Sequence, residues 1–180
     1  MKKLLSIFVL FVAFSTTVKA QNGAMDVALG YNGGFYMGID FMDDTNGWLY
    51  GFSYGDTFGG VGENYNAVLG YYDYREDIYG YEYGHVTIAG SVGKLVATSS
   101  KGGKLYIKGQ LGYQDNIEYE LRNDPYRIFG YGNGDYFISG STGASLFYGA
   151  GLKYRFNWFT TDVFYSSTGF GATIGTAFQF

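Results

Sequence analysis

His85 is the single histidine of this 180-residue chain, and Thr87 stands two positions beyond it. On an extended strand residues i and i+2 share a face. An imidazole beside a hydroxyl can activate it as a nucleophile if both lie within hydrogen-bond reach and open to a substrate. The alternation around them points elsewhere. His85, Thr87, Ala89 and Ser91 form the more polar face of their segment, and Val86, Ile88, Gly90 and Val92 the apolar one. A closed sheet would turn the polar face inward, where His85 acts as a hydrogen-bonded strand-end residue, so no catalytic residue is assigned. The carboxylate groups Asp43-Asp44 and Asp73, Glu76, Asp77, Glu82 lack the spacing of a calcium loop and read as solvated loop charge. Gly130-Tyr131-Gly132-Asn133-Gly134 has no strand-to-helix setting and no following Lys-Ser or Lys-Thr, so it is not a phosphate loop. The chain has no cysteine. That excludes a disulfide framework, a thiolate metal site and a lipidated cysteine anchor. No cofactor is expected.

The remaining charges fall into a pattern. Asp26, Asp40, Lys108, Lys153 and Asp162 each lie on the less hydrophobic face of an alternating segment, and Arg155 keeps the parity of Lys153. The rest of that face is Gly, Ser, Thr, Ala and Tyr. A soluble sandwich would carry many Lys and Glu there. Small residues with a few charges of both signs suit the inside of a narrow barrel, where charges must pair because an isolated one costs several kcal/mol. Lys94 is the exception, on the apolar face near a strand end where a lysine can reach headgroups.

The elements that hold these residues are strands. Period-two alternation runs through Trp48–Tyr54, Tyr65–Tyr72, His85–Val92, Leu105–Tyr113, Ala144–Tyr154, Phe159–Ser166 and Phe170–Phe180. From Met25 to Phe41 one parity is kept throughout, which favours a single long strand over 24–42 and a count of eight. A hairpin at Asn32-Gly33-Gly34 would make nine. Ten follow if Ile117–Leu121 or Tyr126–Tyr131 enters the wall. Links at 99–103 and 155–158 are short, whereas 73–84 and about 114–142 read as long, acidic, Tyr-rich connections. Short turns at one end and long loops at the other are the signature of outer-membrane barrels.

Residues 1–20 read as a secretory signal peptide: Lys2 and Lys3, the apolar run Leu4–Phe14, and Val18-Lys19-Ala20 before a cleavage expected ahead of Gln21. The domain is then 21–180. Mean hydropathy is -0.07 while aromatics reach 21 %; alternating faces cancel in a window average, so a barrel can hide from a hydropathy scan. Net charge is -4, and loss of Lys2, Lys3 and Lys19 makes the exported chain more acidic. Nucleic acid is therefore excluded as a partner, since its binding relies on cationic neutralisation of phosphates.

With these features the chain resembles the small outer-membrane β-barrel proteins of Gram-negative bacteria. The resemblance rests on the leader, the alternating strands and the ending Ala177-Phe178-Gln179-Phe180. It implies an all-β, antiparallel up-and-down transmembrane barrel. Phe178 and Phe180 would serve as the signal read by the outer-membrane assembly machinery, and outer-membrane lipid would surround the wall. His85-Val86-Thr87 also resembles the His-x-Ser pair of a barrel lipase that removes acyl chains from lipid A. Thr87 stands where that family has Ser, and the register turns the pair inward rather than toward lipid. An architecture does not transfer a function. The expected role is structural or surface-interacting. Tyr74, Tyr79, Tyr81, Tyr83, Tyr126, Tyr131 and Tyr136 are candidate loop contacts for an unknown extracellular ligand. The alternative is a narrow channel lined by the interior charges.

Overall fold

The computed structural model describes residues 22–57, 66–67, 78–123 and 135–180. Eight strands form the wall: β1 Gly23–Tyr31, β2 Phe35–Asp43, β3 Trp48–Thr57, β4 Ile78–Thr98, β5 Lys104–Asn123, β6 Asp135–Phe156, β7 Phe159–Ser166 and β8 Gly169–Gln179. Each pairs antiparallel with its neighbour in sequence, and β8 returns to pair with β1. The sheet closes on itself as an eight-stranded up-and-down barrel, which leaves no edge around its girth. At the closure Gly23 N donates to Phe180 O at 3.2 Å and Phe180 N to Gly23 O at 3.1 Å.

The strand count agrees with the sequence expectation, but the partition differs. Residues 24–42 are two strands joined by the hairpin Asn32-Gly33-Gly34, with Tyr31 opposite Phe35. Residues opposite each other in a sheet point to the same face, so a loop with an odd number of residues carries parity through unchanged. Unbroken parity therefore could not tell one strand from a hairpin. Gly33 supplies the positive φ of 75° the turn needs. The expected strand at 65–72 falls mostly outside the described residues, and the described wall closes without it, since β3 pairs directly with β4 from Thr57↔His85 to Trp48↔Lys94. Of that segment Asn66–Ala67 makes a short parallel bridge to Tyr136–Phe137. The rest lies outside the described residues, as does the expected leader.

Strands β4, β5 and β6 run to 21, 20 and 22 residues. Their partners stop short. β3 reaches no further than His85 on β4, and β7 no further than Gly149 on β6. Above those points β4, β5 and β6 continue as a three-stranded sheet beyond the rim. Residues 78–84, 114–123 and 135–142, expected as loop, belong to this extension, and Ile117–Leu121 continues β5 rather than adding a wall strand. Turns at 44–47, 99–103 and 157–158 share the opposite end of the barrel with the paired ends Gly23 and Phe180.

Candidate functional site

The barrel interior is built in layers. At the end that carries the short turns, Asp44 accepts from Lys104 at 2.8 Å, and both its oxygens accept from Arg155 Nη2. Above it Ala24, Met42, Leu49, Tyr106 and Ala177 pack as an apolar layer, with Leu95 against it. The next layer is ionic. Asp26 and Asp40 are direct cross-strand partners, a repulsive arrangement on its own. Lys153 resolves it by binding Asp26 and, at 2.7 Å, Asp40. Lys153 also faces its cross-strand partner Asp162 at 3.3 Å. Lys108 bridges Asp40 at 2.8 Å and Asp162 at 3.1 Å. Thr160 donates to Asp26, and Ser91 to Asp40 at 3.0 Å. Toward the long-strand end, Gln110 donates to the Tyr36 hydroxyl at 2.6 Å, and the Tyr36 and Phe164 rings lie 5.0 Å apart. Beyond them Asn32 donates to Ser166 at 3.2 Å.

Glycines in the wall make this filling possible. A Cβ at Gly175 would lie 2.7 Å from an Asp26 oxygen, and one at Gly51 would lie 2.5 Å from the Ser91 hydroxyl that holds Asp40. Tyr36, Tyr106, Phe147, Lys153, Met42 and Leu49 are the largest of the fully buried side chains. They come from different layers, so the lumen is occupied along its length. An eight-stranded barrel has room for side chains and little else.

The outer wall has the opposite chemistry. Val27, Leu29, Val92, Ile107, Leu111, Leu152, Val163 and Ile174 are all exposed. Trp48, Tyr50, Tyr154, Phe156, Trp158 and Phe159 ring the short-turn end, and Tyr31, Phe35, Tyr113, Tyr148, Tyr165 and Phe170 the other. From Phe170 to Phe180 a tilted strand climbs about 25 Å, the height of a lipid-facing band. Lys94, the cation expected on this wall, sits 4.5 Å from the Trp48 ring and donates to Asn46 O at 2.7 Å, within the short-turn ring of aromatics.

Asp26, Asp40, Lys108, Lys153, Arg155 and Asp162 are all brought inside the barrel, each no more than 5 % exposed. Arg155 stands apart from the other five, on Asp44. Parity alone did not single out Asp44, because it lies in a turn; its pairing with Lys104 and Arg155 is a tertiary fact. Asp43 caps the same turn, accepting from Thr45 N at 2.8 Å. Phe178 and Phe180 point outward and are exposed. Thr87 is 2 % exposed in the wall, so no substrate reaches its hydroxyl. Tyr81 and Tyr83 stand exposed on the extension, at 51 % and 66 %. Tyr136 is a correction: at 3 % exposed it cannot offer a contact surface, because β6 carries it into the sheet opposite Arg122. Tyr74, Tyr126 and Tyr131 lie outside the described residues, as does the Tyr79 side chain.

No protein-family model and no curated protein matches the sequence. Among solved structures the chain is similar to Ail, the attachment invasion locus protein of Yersinia pestis, crystallised with the heparin analogue sucrose octasulfate. The TM-score is 0.48 at 16 % identity, over 88 % of this chain and 99 % of that one. It is also similar to neisserial surface protein A, with a TM-score of 0.37 at 11 % identity, over 87 % of this chain and 92 % of that one.

Proposed function

We propose that the chain is an integral outer-membrane barrel with a structural or surface-interacting role, its short-turn end in the periplasm and its β4–β6 extension outside the cell. The observation that carries this is the pairing of an apolar, aromatic-ringed outer wall with a polar, charged and filled interior. A soluble protein rarely exposes an apolar area of that extent, and the interior is the inverse of what water-facing strands need. The filled lumen favours an anchor over the narrow channel.

The extension is the part that faces partners. Its charged residues are Glu82, Asp115, Glu118, Glu120 and Asp135 against Arg122, which already binds Glu120 at 2.6 Å. Exposed Tyr81 and Tyr83 add contact area with a hydroxyl at low entropic cost. Such a surface favours neutral or cationic partners over polyanions. The complex of Ail with a sulfated sugar belongs to Ail.

The test is to express the full chain, isolate outer membranes and compare boiled with unboiled samples on an SDS gel. A folded barrel stays in that fraction and changes mobility on boiling. Recovery as a soluble periplasmic or secreted protein would overturn the membrane reading.

A further inference from the structure

The barrel wall has no edge, but the extension does. Among the described residues, once β7 ends at Gly149↔Ser166 the outer side of β6 has a strand partner only further up, at Tyr136–Phe137, where Asn66–Ala67 bridges it. Every residue of Ser139–Leu146 is exposed. The stretch reads Ser-Gly-Ser-Thr-Gly-Ala-Ser-Leu, with no charge, no proline and no bulky side chain before Leu146. Exposed edges are ordinarily blunted by lysine, proline or a bulge. Here the only such device is a bulge at Thr142, where Asn116↔Gly143 gives way to Ile117↔Ser141. The β4 edge of the same extension differs, since it carries Glu82 and would set carboxylates near each other in any self-pairing.

We propose that the free β6 edge, Ser139–Leu146, pairs antiparallel with the same edge of a second copy held in a facing membrane, so that the chain joins one membrane to another. This rests on the membrane reading above. A surface that pairs with itself must be self-complementary about a two-fold axis, and this one is. With the axis between Thr142 and Gly143, Ser141 meets Ala144, Gly140 meets Ser145 and Ser139 meets Leu146. The bulge shifts parity midway along β6, so both members of each pair point to the same face. No like charges oppose one another, and small side chains let the backbones approach.

Symmetry also decides where the second copy sits. Two copies in one membrane are related by an axis along the membrane normal. Their β6 strands then cross at twice the tilt, about 80° for strands inclined ~40°, and cannot pair. An axis in the plane of the membrane makes the same strands antiparallel at any tilt and puts the barrels on opposite sides. One pair of short strands is a weak bond. Many copies across a contact zone multiply it.

The experiment uses the full exported chain, refolded into two populations of phosphatidylcholine vesicles that carry different fluorophores. Insertion is checked by the mobility shift on boiling. Two-colour coincidence is expected to rise about ten-fold over protein-free vesicles and to withstand high salt, because the edge is uncharged. Thr142→Lys on both populations, or Thr142→Glu on both, places like charges at the axis and returns coincidence to the protein-free level. Lysine vesicles mixed with glutamate vesicles recover it, now in a salt-sensitive way. Inserted wild-type vesicles that stay single overturn the proposal, and so do lysine and glutamate variants that cluster like wild type. Failure to insert overturns the membrane reading and this inference with it.

Discussion

Lys153 touches three carboxylates at once, and that geometry sets the consequence of losing it. In Lys153→Met the facing pair Asp26 and Asp40 keeps only the ammonium of Lys108, which reaches Asp40. Breaking a buried ion pair from one side costs about 3–5 kcal/mol. The expected outcome is a lower urea midpoint and a lower temperature for the gel-mobility transition. Adding Asp26→Asn to Lys153→Met removes the uncompensated charge and recovers part of the loss. Equal stability of Lys153→Met and wild type would show that the ionic layer does not hold the barrel. Asp44, outside the lipid-facing band, gives a pH prediction. Burial pushes its carboxyl up, but hydrogen bonds and charge from Lys104 and Arg155 outweigh burial and hold it below the ordinary 3.8. A depressed folded value means the stabilisation is complete above the ordinary carboxylate range and disappears as pH falls through the folded value. Wild-type stability is therefore expected to fall as pH drops below about 4, and Asp44→Asn removes that portion of the acid dependence; equal acid slopes for the two proteins would show that the Asp44 pairing contributes nothing.

At the scale of elements the decisive feature is the hairpin Asn32-Gly33-Gly34. Gly33 has φ of 75° and lies where an added Cβ would approach the Thr57 methyl at 3.2 Å. Gly33→Val asks a β-branched residue to adopt the left-handed region, at a cost of about 1–2 kcal/mol. The measurable result is slower refolding into detergent micelles and a lower urea midpoint, with the mobility shift retained. No change would mean that the turn tolerates another conformation. The lengths of β4, β5 and β6 matter in a different way. Their upper halves leave the wall, so substitutions there are expected to alter surface behaviour while leaving barrel stability intact.

For the whole molecule, the filled lumen predicts that the wild-type protein shows no reproducible conductance in planar bilayers. Steady, single-sized openings would instead favour the channel reading, with Lys108 and Asp162 as the residues to substitute for selectivity. The apolar wall predicts that Trp48 and Trp158, exposed at 39 % and 67 % in the ring of aromatics at the short-turn end, emit at blue-shifted wavelengths in vesicles. Lipids brominated near the headgroup should quench them more than lipids brominated at the chain end, because the two indoles sit at the interface. Quenching by aqueous iodide alone would place the wall in water.

The sequence by itself determined which face the residues of the barrel wall take. Alternation is a local property of the pleat, so Asp26, Asp40, Lys108, Lys153 and Asp162 were legible as interior, and Val27, Leu111 and Ile174 as exterior, without knowing any pairing. It also determined the class of fold, since a charged and glycine-rich inside with an aromatic outside suits few other architectures. Tertiary structure decided where the chain reverses and what meets what. The hairpin after Tyr31 kept parity because its loop has an odd number of residues. The alternating stretch at 65–72 reads as wall by the same local rule, yet β3 pairs directly with β4. The two differences offset each other in the strand count. The meeting of Lys153 with Asp26, 127 residues away, and of Arg155 with Asp44 depends on closure, register and barrel girth. Those are long-range quantities that no local spacing encodes.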